Sequence, residues 1–256
     1  MRSSAISIHT KSNMLTESFI SRSELLLGAE SVSKLERSHV LIVGLGGVGG
    51  FAAELLCRAG IGCMTIVDGD VVSPSNINRQ IIALNSTVGK QKAELFASRF
   101  VDINPNCKVN VVNSFLKDEA MVSLLNADKY DYIVDAIDTL SPKVFLLYHA
   151  TKLGIPIVSA MGSGGKLDPT QVHISDVEKS HTCPLASSVR KRLHKLGVEK
   201  GFKVVFSTEK PIDSAVVDNP SQNKRTTLGV ISYMPAVFGS FCASVVINDL
   251  LKCVAN

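Results

Sequence analysis

The sequence has few of the features that would settle its class at once. Its six cysteines, Cys57, Cys63, Cys107, Cys183, Cys242 and Cys253, contain no C-x-x-C pair. A disulfide framework and a structural zinc are therefore not indicated, and reduced thiols in a cytoplasmic protein fit best. Residues 1–16 contain no acid and only Arg2, His9 and Lys11 as basic groups, without an apolar signal core or the arginine density of an organelle presequence. A tail without fixed structure is expected there, preceding one domain over 17–256. Charge of one sign is not pronounced: a net +4 and a pI near 8.7 permit an anionic partner without naming one. Aromatic residues make up only 5%, so few stacking platforms for bases are available. The one long uncharged run, residues 228–247, could span a bilayer by length. Pro235 and Gly239 interrupt it and Asn248-Asp249 follow it, so a buried strand, a turn and a packed helix are expected, and no membrane insertion.

What is present is regular. The chain is 256 residues long and 45% apolar, enough for one sizeable core. "HVLIVGLGG" is a continuous apolar run ending in glycines, the pattern of a strand buried on both faces. A helix closed by Gly60 follows, then the strand "CMTIVD". Further on come a helix over 90–101, a strand at "KVNVVN", a helix over 118–126, the strand "YDYIVDAID", a helix over 142–153 and the strand "IPIVSA". Such alternation predicts an α/β fold, a doubly wound, largely parallel Rossmann-like sheet with ligand sites at the carboxyl ends of its strands. After Gly165 the composition shifts toward loops and basic residues. This divides the domain into a nucleotide-binding part, 17–165, and a substrate-binding part, 166–256, that returns to the sheet.

Gly44, Gly46 and Gly49 form G-x-G-x-x-G between the first strand and a helix, the context in which backbone N–H groups bind phosphate. Asp68 ends the second strand at the spacing of a ribose-binding carboxylate. Alone, these residues favour a dinucleotide, or glycines needed only for close packing. "SNINRQ" argues for a different ligand, because a dinucleotide site needs no further cation. Adenylyl transfer, by contrast, must stabilise charge on an attacked α-phosphate and a departing pyrophosphate. Arg79 offers a planar fork for phosphate oxygens, and Lys92 a movable point charge. Asp138, at the end of the strand "YDYIVDAID", offers a hard oxygen for Mg²⁺. Asp135, inside that strand, reads as structural.

Together, "GLGGVGG", "VDGDVVSPSNINRQ", "VGKQK" and "VDAIDT" resemble the ubiquitin-activating-type adenylyltransferases, over roughly residues 22–165. The resemblance implies ATP and Mg²⁺ binding, adenylation of a carboxylate, and a homodimer. It places Gly44, Gly46, Asp68, Ser75, Asn76, Asn78, Arg79, Lys92 and Asp138 around ATP, with Arg22 reaching the neighbouring subunit's ATP. Activators of sulfur-carrier proteins in that family have paired C-x-x-C zinc ligands, which this sequence lacks. Residues 160–211 are similar instead to the branch that dehydrates threonylcarbamoyladenosine beside the tRNA anticodon. That similarity implies adenylation of the threonyl carboxylate, attack by the substrate's own carbamoyl group and loss of AMP. It leaves room for a monovalent cation in a loop and for sulfur-transfer or redox partner proteins.

Arg190, Lys191, Arg192 and Lys195 lie within little more than one helical turn and suit phosphate contacts to an anticodon arm. On composition alone a solvated helix face is the plainer reading, and the resemblance turns the balance toward tRNA. The alternative function is activation of a ubiquitin-like carrier, with Cys183 collecting the acyl group as a thioester. An internal nucleophile in the nucleoside makes that step unnecessary.

Overall fold

The computed structural model describes residues 18–116, 118–221 and 224–252; the expectation for residues 1–16 lies outside them. Two short helices open it, α1 (Ser21–Leu27) and α2 (Ala29–Arg37). The alternating core follows: β1 (His39–Val43), α3 (Gly49–Arg58), β2 (Cys63–Val67), α4 (Lys92–Ile103), β3 (Lys108–Val112), α5 (Asp118–Ala127), β4 (Tyr132–Asp135), α6 (Leu140–Lys152) and β5 (Ile157–Ala160). The C-terminal part adds β6 (Val172–Asp176), α7 (Pro184–Lys195), β7 (Lys203–Ser207), a hairpin of β8 (Val216–Ser221) and β9 (Lys224–Leu228), and α8 (Tyr233–Lys252).

The main sheet has seven strands in the order β3-β2-β1-β4-β5-β7-β6, parallel throughout except for β6 at one edge. It is the doubly wound, Rossmann-like α/β sheet expected. In β1 the residues alternate between two cores: Val40 and Ile42 join α2, α3, α4 and α8 on one face, and Leu41 and Val43 join α5, α6 and α7 on the other. Helices on both faces explain why the strand reads as an unbroken apolar run instead of an alternating one. The carboxyl ends of β1, β2, β4 and β5 share one edge. The chain order reverses between β1 and β4, which opens a crevice there.

Two expectations need correction. Residues 228–247 hold the expected packed helix but no buried strand of their own: Leu228 ends β9, and from Tyr233 onward one continuous helix runs through Pro235 and Gly239. Pro235 sits in its first turn, where a missing N–H costs no intrahelical bond. Gly239 lies where a side chain would meet the carbonyl of Val48 at 2.5 Å, so it serves close packing of α8 on α3 and does not break the helix. α8 is long and apolar enough to cross a membrane, yet Met234, Phe238, Cys242, Val246 and Leu250 are core residues here. Second, β4 ends at Asp135, so Asp138 stands in the loop beyond the strand.

Candidate active site

The first turn is built by two close approaches and one open position. Gly44 has φ +92°, and a side chain on it would come 2.8 Å from the carbonyl oxygen of Ala136 in the loop after β4. A side chain on Gly49 would meet the carbonyl of Gly44 at 1.8 Å. Gly46 has nothing nearer than 3.7 Å, the Gln80 amide nitrogen, so backbone can be approached there. No side chain caps the N-terminus of α3, which leaves the positive end of the helix available to an anion.

Asp68 fastens this turn to β2. Its Oδ2 accepts from the Leu45 N–H at 2.7 Å and its Oδ1 from the Asp70 N–H at 2.8 Å. Burial pushes its carboxyl above the ordinary range, and the Lys92 charge and these two N–H bonds offset part of that rise. Each carboxylate oxygen has two acceptor positions, so holding the turn does not exhaust Asp68 as a partner for a ribose hydroxyl.

The segment "SNINRQ" lies across the same edge. Asn76 is buried and its Oδ1 accepts from the Ser73 N–H at 3.1 Å, which closes a short 3-10 turn over Pro74–Asn76. Ser75 Oγ lies 3.0 Å from Ser73 Oγ. Asn78 donates to the Val230 carbonyl at 2.9 Å and so ties the segment to the approach to α8. Arg79 is half-buried, its Nη1 donating to the Ser75 carbonyl and to Asn78 Oδ1, both at 2.8 Å. Lys92 opens α4 with only 4% of its surface exposed, its Nζ 3.0 Å from Asp70 Oδ2. In this state its charge is held and not movable, poised behind the Asp68 end of the crevice. Asp138 is exposed in the loop between β4 and α6.

Gln80 was not singled out by sequence reasoning. It is 7% exposed, its amide nitrogen faces Gly46, and its amide oxygen has no hydrogen-bond partner. The signal was its place at the end of "SNINRQ", beside the two amides and the arginine that drew attention.

The remaining candidates lie outside the glycine turn and "SNINRQ". Arg22 is exposed on α1, and its neighbour Ile20 packs against Gly60, at the end of α3 opposite the glycine turn. Among the basic residues of α7, Arg190 donates to Ser180 Oγ at 2.6 Å and the exposed Arg192 to Ser141 Oγ at 2.9 Å; Lys191 and Lys195 are exposed as well. Cys183 is 2% exposed, its sulfur 3.7 Å from the point where a side chain on Gly162 would begin. Cys57, Cys63, Cys107, Cys183 and Cys242 are all free thiols.

A doubly wound sheet with a tight glycine turn and an uncapped helix at its switch point defines a nucleotide-binding α/β protein of the phosphate-handling kind. The chain belongs to the ThiF family, whose model matches residues 20–256. It is 40% identical over 240 residues to the tRNA threonylcarbamoyladenosine dehydratase of Bacillus subtilis, covering 91% of this chain and 94% of that one. The Haemophilus influenzae enzyme of the same name is 36% identical over 87% of this chain and 89% of its own. Among solved structures, the Escherichia coli tRNA N6-threonylcarbamoyladenosine dehydratase in complex with ATP superposes with a TM-score of 0.84 at 35% identity, covering 92% of this chain and 95% of that one.

Proposed function

We propose that this chain is an enzyme that uses ATP to dehydrate threonylcarbamoyladenosine in tRNA to its cyclic form. The observation that carries the reading is a glycine turn after β1 that Asp68 fastens to β2, with the Lys92 charge acting on Asp68 and the end of "SNINRQ" lying against Gly46 and Gly47. Likeness to two curated dehydratases over nearly their whole length, and to an ATP-bound one in three dimensions, supports it.

In this reading the backbone N–H groups at Gly44–Gly49 and the first turn of α3 receive phosphate, and Asp68 accepts from ribose. A threonyl carboxylate oxygen attacks the α-phosphorus and pyrophosphate leaves. Arg79 and Lys92 neutralise charge as it builds on the phosphates. For Lys92 this means exchanging the Asp70 carboxylate for a phosphate oxygen. The carbamoyl group of the same nucleoside then attacks the acyl carbon, a ring bond forms, the carbon–oxygen bond to AMP breaks, and the carbamoyl proton is released. Holding both groups in one substrate supplies the proximity that a protein nucleophile would otherwise provide.

The residues present fit Mg²⁺ bound with a nucleotide. Asp138 offers one exposed carboxylate in the loop after β4, and no group of three His, Cys, Asp or Glu side chains forms a cage among the described residues. Mg²⁺ commonly takes one or two carboxylates together with substrate phosphates and water. Bound there, it would share the phosphate charge with Arg79 and Lys92. The exposed Lys191 and Lys195 suit tRNA phosphates, and Arg22, remote from the glycine turn of its own chain, suits a homodimer in which it serves the neighbour's ATP.

The test is ATP–pyrophosphate exchange. Threonylcarbamoyl-modified tRNA should stimulate it, and a carrier protein ending in Gly-Gly should not. Arg79→Ala and Lys92→Ala should each lower turnover on the order of 10²-fold or more with the circular dichroism spectrum retained. Near-normal turnover in either variant would remove that residue from the phosphate site.

A further inference from the structure

Just behind Asp138 lies a charged pair that the proposed chemistry does not touch. Asp135 ends β4, Lys143 stands in the first turns of α6, and both are fully buried, with Nζ and Oδ2 2.8 Å apart. Ser159 of β5 donates to the same Oδ2 at 2.6 Å. Two further bonds of the pair converge on one residue: Asp135 Oδ1 accepts from the Ile137 N–H at 3.1 Å, and Lys143 Nζ donates to the Ile137 carbonyl at 2.8 Å. That carbonyl belongs to the peptide unit that leads into Asp138. Ala136, one residue earlier, is the residue whose carbonyl abuts Gly44. A buried ion pair is seldom more stable than apolar residues of the same volume, so stability alone is a weak reason for one here. What this pair adds is direction, since it grips the loop at both polar groups of a single residue.

We infer that Lys143 is a positioning residue for the metal-binding carboxylate: paired with Asp135, it holds the Ile137 carbonyl and so sets where Asp138 stands relative to the glycine turn. The inference rests on the reading of Asp138 as the Mg²⁺ ligand. Partners that orient a metal ligand are commonly worth 10- to 100-fold in metal affinity.

The test measures Mg²⁺-dependent ATP binding by thermal shift or calorimetry on the full chain, without turnover. Lys143→Met alone strands a buried carboxylate and is a poor probe. Asp135→Asn/Lys143→Met is neutral and near-isosteric, keeps an acceptor for the Ile137 N–H, and deletes the donor to its carbonyl. Its half-saturating Mg²⁺ should rise about 10-fold, with ATP affinity in the absence of Mg²⁺ unchanged. Asp135→Asn/Lys143→Gln restores a donor and should recover part of that affinity. Asp138→Asn, measured alongside, separates the two ideas. A shift in Asp138→Asn with wild-type Mg²⁺ dependence in both double variants would overturn the positioning role and leave the site reading standing. No shift in Asp138→Asn would overturn both.

Discussion

Replacing Gly44 with alanine probes the glycine turn most directly, and a second glycine supplies the control. At φ +92° an alanine suffers the left-handed penalty of about 1–2 kcal/mol, whatever surrounds it. Its Cβ would also stand 2.8 Å from the Ala136 carbonyl oxygen, a backbone atom that cannot swing aside. Forcing atoms into a filled interior of this kind typically costs a further ~1–3 kcal/mol. The sum is roughly 2–5 kcal/mol. At roughly 2–4 °C per kcal/mol for a chain of this size, Tm should fall by about 4–20 °C. Gly197, just past α7, has φ +74° but nothing within 4 Å of a new Cβ, so Gly197→Ala should show the conformational penalty alone, about 2–8 °C. Thermal unfolding followed by circular dichroism gives both values, and repeating the scan with saturating ATP shows which variant still gains stability from the nucleotide. Gly44→Ala should lose that gain and Gly197→Ala keep it. Equal falls in Tm, with ATP stabilising both, would mean that the packing of the first turn on the loop after β4 carries no weight.

Acid should weaken the fold partly through Glu54. Burial pushes its carboxyl up, but bonds and charge from Arg99 and Arg58 outweigh burial and leave it below the ordinary range. A depressed carboxyl stabilises fully above its unfolded value of about 4.3 and loses that contribution as pH falls through the folded value, so Tm should drop less steeply below about pH 4.3 in Glu54→Gln than in the parent. Cys183→Ser should keep most of its dehydratase activity, and the parent should form no thiol-labile acyl adduct, because the sulfur is shut in beneath Gly162; an inactive, folded variant together with such an adduct would favour a thioester mechanism. Lys191→Ala/Lys195→Ala should weaken tRNA binding and reduce the log–log salt slope by about 0.9 for each phosphate no longer neutralised, with ATP binding intact, whereas an unchanged slope would make that face merely solvated. Arg190→Ala should instead cost stability, since its guanidinium braces Ser180.

The parallel core was legible because helices on both faces make each strand uniformly apolar, and glycines mark where strands hand over to helices. The glycine turn was legible because its glycines lie close together in the sequence, whereas the bond by which Asp68 fastens it to β2 joins residues 23 apart and left no local signal. α8 was misread because Pro235 and Gly239 look like punctuation until one is seen in a first turn and the other beneath a carbonyl of α3. α1 and α2 were missed, since with nothing against which to judge the burial of a short polar helix, "SRSELLLG" carries no clear period. Lys143 gave no signal at all. A lysine in an otherwise ordinary helix announces its burial only when β4 and β5 bring Asp135 and Ser159 to it. Lys92 was chosen for its charge, but its seclusion beside Asp70 depends on the loop from β2 doubling back to meet α4.

The seating of α8 on the glycine turn bears on how the chain can mature. Pro235 lies where a side chain on Gly47 would begin, and Gly239 leaves room for the Val48 carbonyl, so α8, late in the chain, lies against the first turn of the sheet. A ribosome releases residues 39–60 long before it reaches Tyr233. Until α8 emerges, one face of α3 lacks that cover, and the nascent half-sheet is left with apolar surface open to solvent or to a chaperone. The two halves set apart by composition at Gly165 are therefore not separable parts. A fragment ending there would contain every residue proposed for the ATP phosphates and still lack the helix against which the turn is braced.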